Sequence, residues 1–382
     1  MFHKFMIFIF IALTAVLAGP SPAKAQNEKP VQTITFDGQN WRVAAQKAEI
    51  VDHLGRNVLA LTGGRLWADD IDFTDGVISF DVAYAEQTIF VGAGWRAQND
   101  GRFEEMYFRG HLNEKPDALQ YTPVENGNSA WQIFSDGNAI APVTQTFTGW
   151  NKVKIVVQGD KADIYFNSES PVLHIPDLKT GLTQGAVSLR SSGRQAGPAH
   201  FSNVAIRPLG PREGVVGVAK PMPKLPAGVI GQWQISSPFD EAEVKGVLKL
   251  EKRPFRQLKW QMLNVETNGI ANLARLADRR EQGNTVFVRL KLQSDTRQMK
   301  MLRFGYSDRV RIYLNGKRVY GGDAGWRVRD YRFLGTVGFF DTVGLDLKAG
   351  SNELLVAVSE TFGGWAWAGA FEDRTGLVLG KR

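Results

Sequence analysis

Short runs rich in β-branched and aromatic residues recur along this chain, punctuated by Asp-Gly and Asn-Gly dipeptides. These fall at Asp37-Gly38, Asp75-Gly76, Asp100-Gly101, Asn126-Gly127, Asp136-Gly137, Asn268-Gly269 and Asn315-Gly316. Such pairs tolerate the positive φ that tight hairpin turns demand, so each marks a place where one strand turns into the next. The segments between them read as strands, the clearest over 76–84, 88–96, 103–109, 151–158, 162–167, 186–190 and 200–207. No long segment after residue 25 carries a helical period. One short stretch, 269–279, reads as a single turn of helix at the surface. Many short strands at even spacing predict an all-β fold, a sandwich and not an α/β sheet.

Two segments stand outside that pattern. At the start, His3 and Lys4 precede an unbroken apolar run over 5–18, and Ala23-Lys24-Ala25 follows. A basic start, a short apolar stretch and a small–x–small site are the marks of a cleaved signal peptide over 1–25, too short and wrongly flanked for a membrane span. No Cys follows to carry a lipid anchor. The second segment, 209–229, follows Pro208 and holds Pro211, Pro221, Pro223 and Pro226. Proline fixes φ and removes a backbone donor, so this stretch is expected to be a semi-rigid linker between two sandwiches, 26–208 and 230–382.

Beyond the linker, 285–292 alternates Val286, Val288, Leu290 and Leu292 against Thr285, Phe287, Arg289 and Lys291. Val310, Ile312 and Leu314 likewise alternate with Arg311 and Tyr313. One face of each strand is expected in a core and the other outward. A final pair of strands, 344–347 and 352–359, is expected to be joined by the turn Lys348-Ala349-Gly350-Ser351.

The chain has 382 residues and no cysteine. Disulfides, thiolate metal sites and thiol nucleophiles are thereby excluded, and an exported chain must rely on hydrophobic cores. The formal charge of +7 loses Lys4 and Lys24 with the signal segment. The remaining basic excess suits either an anionic polysaccharide or an ordinary solubilising surface. Periplasmic or secreted placement follows, with no nucleic acid as partner and no membrane span.

Trp150-Asn151-Lys152-Val153-Lys154-Ile155, Ala162-Asp163-Ile164-Tyr165-Phe166-Asn167, the runs 171–175 and 185–189, and Phe201-Ser202-Asn203-Val204 resemble the closing strands of a laminin-G or concanavalin-A-like jelly roll of bacterial secreted proteins, over residues 31–208. That resemblance implies fold more than function, because such folds include lectins, glycosidases and adhesion modules. Arg311–Gly322 (RIYLNGKRVYGG), the turn 345–353 and GGWAWAGAFED over 363–373 resemble a galactose-binding-like accessory module over 230–375. Such a module usually sits beside a carbohydrate enzyme, which implies an accessory or docking role, with a protein partner as one use.

Within 103–111, alternation places Met106 and Phe108 on one face and Glu105, Tyr107, Arg109 and His111 on the other. Gln120, Trp131 and Gln132 are expected on neighbouring strands. Aromatic faces pack on the C–H faces of sugars while amides and guanidinium groups fix hydroxyls, so these seven residues form the candidate ligand site. The same row also fits a solvated sheet face with cross-strand ion pairs. Glu105 is the one catalytic candidate. Its neighbour Glu104 must face the other way and cannot complete a two-carboxyl glycosidase site, which leaves Asp117 or Glu125 as partners through the fold. The Glu-x-Asp-x-x-Glu pattern of jelly-roll glucanases is absent.

Asp69, Asp70, Asp72 and Asp75 form an acidic run that either binds calcium or simply builds a turn. His53, His111, His174 and His200 are too scattered in sequence for zinc. Arg327, Arg329 and Tyr331 would share a face if extended, as an anionic-sugar surface or a packing seam. Trp365 and Trp367, among small residues, read as core or interface anchors. The leading reading is an exported protein that binds carbohydrate, as polysaccharide or glycoconjugate, without a cofactor. A glycoside hydrolase with carboxyls from separate strands is the alternative, and an envelope scaffold or adhesion protein is the third.

Overall fold

The computed structural model describes residues 32–192, 197–279, 283–325 and 336–380. The signal-like segment 1–25 and the basic run containing Arg327, Arg329 and Tyr331 lie outside the described residues. The protein is all-β, with strands packed as sandwiches and, among the described residues, only three-residue 3-10 turns as helical structure. No described helix is long and apolar enough to cross a membrane.

Strands between Thr33 and Arg207 form one curled antiparallel sheet. Its order runs Leu173–Ile175, Lys161–Phe166, Asn151–Gln158, Gly76–Ala83, Ala199–Arg207, Arg56–Ala68, Ala186–Ser191, Ile89–Asn99, Arg102–Arg109, Leu119–Glu125. Alternation explains the core that it encloses. Val153, Ile155 and Val157 point inward from one strand, while Met106 and Phe108 point inward from another, and all are buried together. Three of the Asn/Asp-Gly dipeptides adopt positive φ at both positions: Asp37-Gly38, Asn126-Gly127 and Asn315-Gly316. The hairpin at 54–55 does the same with Leu54 at φ 47°. A bulky residue there is sterically costly and gave no turn signal.

Strands between Gln232 and Leu379 form two further sheets. One contains Gln232–Ser236, Trp260–Asn264, Thr285–Ser294, Gly350–Ser359, Arg309–Leu314 and Lys317–Asp323, and the other Gln298–Ser307, Asp341–Leu347, Ala366–Phe371 and Ala271–Asn272. Val286, Val288, Val310 and Ile312 fill the core between them with Trp365 and Trp367. Phe287 and Tyr313, expected to face outward, are buried too. Phe239, Val244 and Leu250 fold across that outer face and cover them. The expected final strand pair is also corrected. Asp341–Leu347 pairs with Gln298–Ser307, whereas Gly350–Ser359 pairs with Thr285–Ser294, so the short turn between them crosses from one sheet to the other.

The segment 269–279 is no surface helix. Ala271 and Asn272 bridge to Trp367 and Ala366, and a 3-10 turn buries Leu273 and Ala274. The proline-rich stretch is strapped down. Val216 and Gly217 donate backbone N–H groups to Asp163 Oδ2 at 2.7 and 2.9 Å, and Lys220 N donates to Asn138. Asp163 Oδ1 meets His174 Nδ1 at 2.7 Å. Residues from both parts of the chain share the first core: Ile270, Val337, Ala366 and Ala368 pack with it directly.

Candidate functional site

On the face turned away from the first core, two rows of side chains run across adjacent strands. One is Arg65, Arg190, Gly92, Tyr107 and Gln120, and the next is Trp67, Ser188, Gly94, Glu105 and Thr122. Glu105 is fully buried at the centre. Its Oε1 accepts hydrogen bonds from the Arg65 and Arg190 guanidinium groups, the latter at 2.6 Å. Its Oε2 is buried without a hydrogen-bond partner.

Arg65 and Glu105 sit on strands three spacings apart, about 14 Å in a flat sheet. Contact over that span requires the sheet to bend toward this face, and requires small residues between the two. Ser188 and Gly94 meet that need. A Cβ on Gly94 would stand 2.7 Å from Ser188 Oγ and 3.1 Å from the Phe103 ring.

The charges set protonation. Burial opposes ionisation of Glu105, but Arg190 and Arg65 outweigh it and hold the carboxyl below its usual range. Burial likewise lowers the Arg65 pKa against the pull of Glu105, and a guanidinium remains charged throughout. Both arginines keep part of their side chains accessible, 16% for Arg65 and 22% for Arg190. Unlike a carboxyl awaiting a proton, Glu105 is a fixed acceptor.

Tyr107, Arg109 and Gln120 form an adjoining buried cluster. The Tyr107 hydroxyl donates to Gln120 Oε1 at 3.1 Å, and Arg109 reaches both Gln120 Oε1 and the tyrosine oxygen. Burial pushes the Tyr107 hydroxyl up to about 12. Gln120 Nε2 donates to the carbonyls of Trp131 and Phe134, each at 2.7 Å, tying 131–134 to the sheet. Arg109 lies under two half-buried rings, 5.9 Å from Phe90 and 5.8 Å from Trp131. Phe90 sits at a register shift with φ 55°, a conformation costly for a bulky residue. It also stands 5.0 Å edge-on to Tyr107 and 5.0 Å from the Arg190 guanidinium.

Five of the seven sequence candidates therefore gather here: Glu105, Tyr107, Arg109, Gln120 and Trp131. His111 does not share the row, because the strand ends at Arg109 and His111 is exposed in the 3-10 turn that follows. Trp131 and Gln132 lie on a turn, not on a neighbouring strand. Gln132 points away, its Oε1 accepting from Ser307 Oγ and Gly364 N in the second sandwich. Sequence reasoning missed Arg65, Arg190 and Phe90. A signal for the arginines was present: Arg190 is the lone charge of its short strand, and Arg65 is the one charge in the apolar and small-residue run that follows Arg56 and Asn57 in its strand.

Glu104 faces the core, where its carboxyl accepts from the Tyr121 hydroxyl at 2.7 Å and from Thr180. Asp117 sits 3.5 Å from Arg109, and Glu125 pairs with Arg102 and Arg275. Neither is paired with Glu105. The acidic run is dispersed among separate partners: Asp69 to Arg42, Asp72 to Gln184, Asp75 to Arg96 and Gly159 N, with Asp70 exposed. Among the described residues no group of three or more His, Asp or Glu is placed to hold a metal ion. His53 and His200, distant in sequence, stack 3.7 Å apart.

No family model matches the chain. No curated protein matches it either. Solved structures resemble parts of it. A carbohydrate-binding module, CBM66 of Bacillus subtilis, aligns at 15% identity with a TM-score of 0.32, over 41% of this chain and 90% of that one. A Bacillus subtilis protein of unknown function with a galectin-like fold aligns at 15% and 0.30, over 42% and 85%. A non-specific endo-β-1,3(4)-glucanase of family GH16 aligns at 10% and 0.29, over 38% and 69%. Likeness at this level carries no argument about ligand or chemistry.

Proposed function

We propose that this protein binds carbohydrate on the arginine-lined face of its first sandwich and does so outside the cytoplasm. The observation that carries the reading is the pair Arg65 and Arg190, held side by side by the buried, ionised Glu105 and still 16% and 22% accessible at this face. A sugar hydroxyl can accept from such guanidinium groups. Each guanidinium carries five N–H groups, more than Glu105 consumes, and those left over suit the oxygens of adjacent hydroxyls. The Phe90 and Trp131 rings offer apolar faces for the C–H side of a pyranose.

Binding is favoured over hydrolysis. A glycosidase needs a second carboxyl set across the scissile bond and, in one of the two, a proton to give. Glu105 is held in its charged form, and Asp117 and Glu125 are engaged with other arginines. The signal-like segment over 1–25 supports export, and the reading invokes no cofactor.

A glycan array followed by calorimetry tests the proposal. Arg190→Ala and Glu105→Gln should each weaken binding by about tenfold or more while the protein stays folded by circular dichroism. Undiminished affinity in both variants would refute this placement of the site.

A further inference from the structure

A groove of about 450 Å³ opens in the larger sheet of the second sandwich. Its origin is a change of neighbour along one strand. Thr285–Ser294 pairs over its whole length with Gly350–Ser359, which takes up one edge. The other edge is shared end to end. Gln234 and Ile235 pair with Arg289 and Val288, whereas Leu379, Val378 and Leu377 pair with Leu292, Gln293 and Ser294. The groove lies where one neighbour gives way to the other, at Leu290 and Lys291.

Three cations line it, Arg289, Lys291 and Arg374, and no Asp or Glu does. Among the described residues none of the three forms a salt bridge. Glu353 stands opposite Lys291 in register, but its carboxyl is taken by Lys252 Nζ at 2.8 Å. Arg289 is half-buried and held in place: its Nε donates to Gln234 Oε1 at 2.8 Å, and its guanidinium lies 3.7 Å from the centre of the Trp260 ring. Burial pulls its pKa down, yet a guanidinium stays charged. Arg374 Nη2 donates to the carbonyls of Gly228 and Val229, which ties the third charge beside the neighbouring strand Gln232–Ser236. Like charges gathered in a partly desolvated groove repel one another, and an anion seated among them relieves that cost.

The rest of the lining selects the body of that anion. Met262, across the sheet from Gln234, and Val378 are exposed, and with Leu377 they give the groove apolar walls. Its only side-chain oxygens are those of Gln232 and Gln234, and the second already accepts from Arg289. A sugar needs acceptors for its hydroxyl protons as well as donors, so the groove suits a different ligand from the first sandwich. We propose that it binds a free amphiphilic carboxylate, with the head on Arg289 and Lys291 and the hydrocarbon tail on Met262, Leu377 and Val378. The planar head matches the forked edge of a guanidinium. Arg289 has four N–H groups beyond the one bonded to Gln234. None of these residues lies in the first sandwich, so the site stands or falls apart from the sugar face.

The probes are octanoate, octanol, glucuronate and inorganic phosphate, titrated by calorimetry into the full-length protein. Octanoate should bind about tenfold or more tighter than the other three, and weaken as salt rises. Lys291→Gln and Arg289→Gln should each weaken octanoate by about tenfold. Arg289 also packs on Trp260, so the exposed Lys291 supplies the variant that leaves folding untouched. Met262→Gln should weaken octanoate without changing its salt dependence. No binding of octanoate, equal binding of octanol or phosphate, or unchanged affinity in both cation variants overturns the site. Glucuronate binding tighter than octanoate overturns the apolar tail in favour of an acidic sugar. Binding to phosphatidylglycerol vesicles without binding of octanoate overturns the free ligand in favour of a membrane surface.

Discussion

Replacing Glu105 by glutamine should expose how much of the first sandwich depends on one buried charge. The side chain keeps its shape, so packing is preserved, but Arg65 and Arg190 are left facing each other without an anion between them. Removing one member of a buried ion pair typically costs about 3–5 kcal/mol. Both arginines retain some access to water, 16% and 22% of their side chains, and can partly rehydrate. We therefore expect a loss at or just below the bottom of that range, roughly 2–3 kcal/mol at pH 7, or about 5 °C in the melting temperature.

The loss should depend on pH in a defined direction. Because Glu105 has a folded pKa below its unfolded one, its contribution is complete above the unfolded value of about 4.3. It falls away as pH drops through the depressed folded value. Urea titrations of wild type and Glu105→Gln at pH 7 and pH 3 should show a gap that narrows with acid. A gap of equal size at both values would mean that shape, not charge, was lost. No gap at pH 7 would refute the ion-pair argument outright.

Asp163→Ala should release the proline-rich strap, since it leaves two backbone N–H groups and His174 without their acceptor; roughly 2–3 kcal/mol and new protease cuts within 210–226 are expected, and an unchanged digestion pattern would count against the clamp. Glu360→Gln should act in the opposite sense. Burial, and then Asp308, raise the Glu360 pKa well above its usual range, so the folded protein holds this proton to higher pH than the unfolded chain does and loses stability as pH rises above about 4.3, where the unfolded chain ionises. The glutamine variant should be more stable than wild type at pH 8 and level with it at pH 4 in urea titrations, and a variant never more stable would sink this account.

What the sequence disclosed were properties local to one strand or turn. Alternation along 151–158 and 285–292 is enough to predict their core faces, and Asn315-Gly316 is enough to predict its hairpin. Features that depend on a second element were not visible. Phe287 and Tyr313 looked exposed because nothing in their own strands announces the segment that covers them. Gln132 looked like a ligand group because its partners, Ser307 and Gly364, lie more than 170 residues away. The site shows the same division. Glu105, Tyr107 and Arg109 follow from periodicity on one strand, whereas Arg65 and Arg190 join them only because the sheet bends. Strain at Phe90 and Leu54 left no trace at all in composition.

Ala366, Ala368, Ile270 and Val337 belong to the second sandwich but are buried in one continuous cluster with the core of the first. A gene divided within the proline-rich stretch would therefore yield two pieces with raw greasy walls, each prone to clump and neither a faithful miniature. On melting, the intact chain should give way in a single sharp event. Whatever grips the first half should also be felt as tightening in the second.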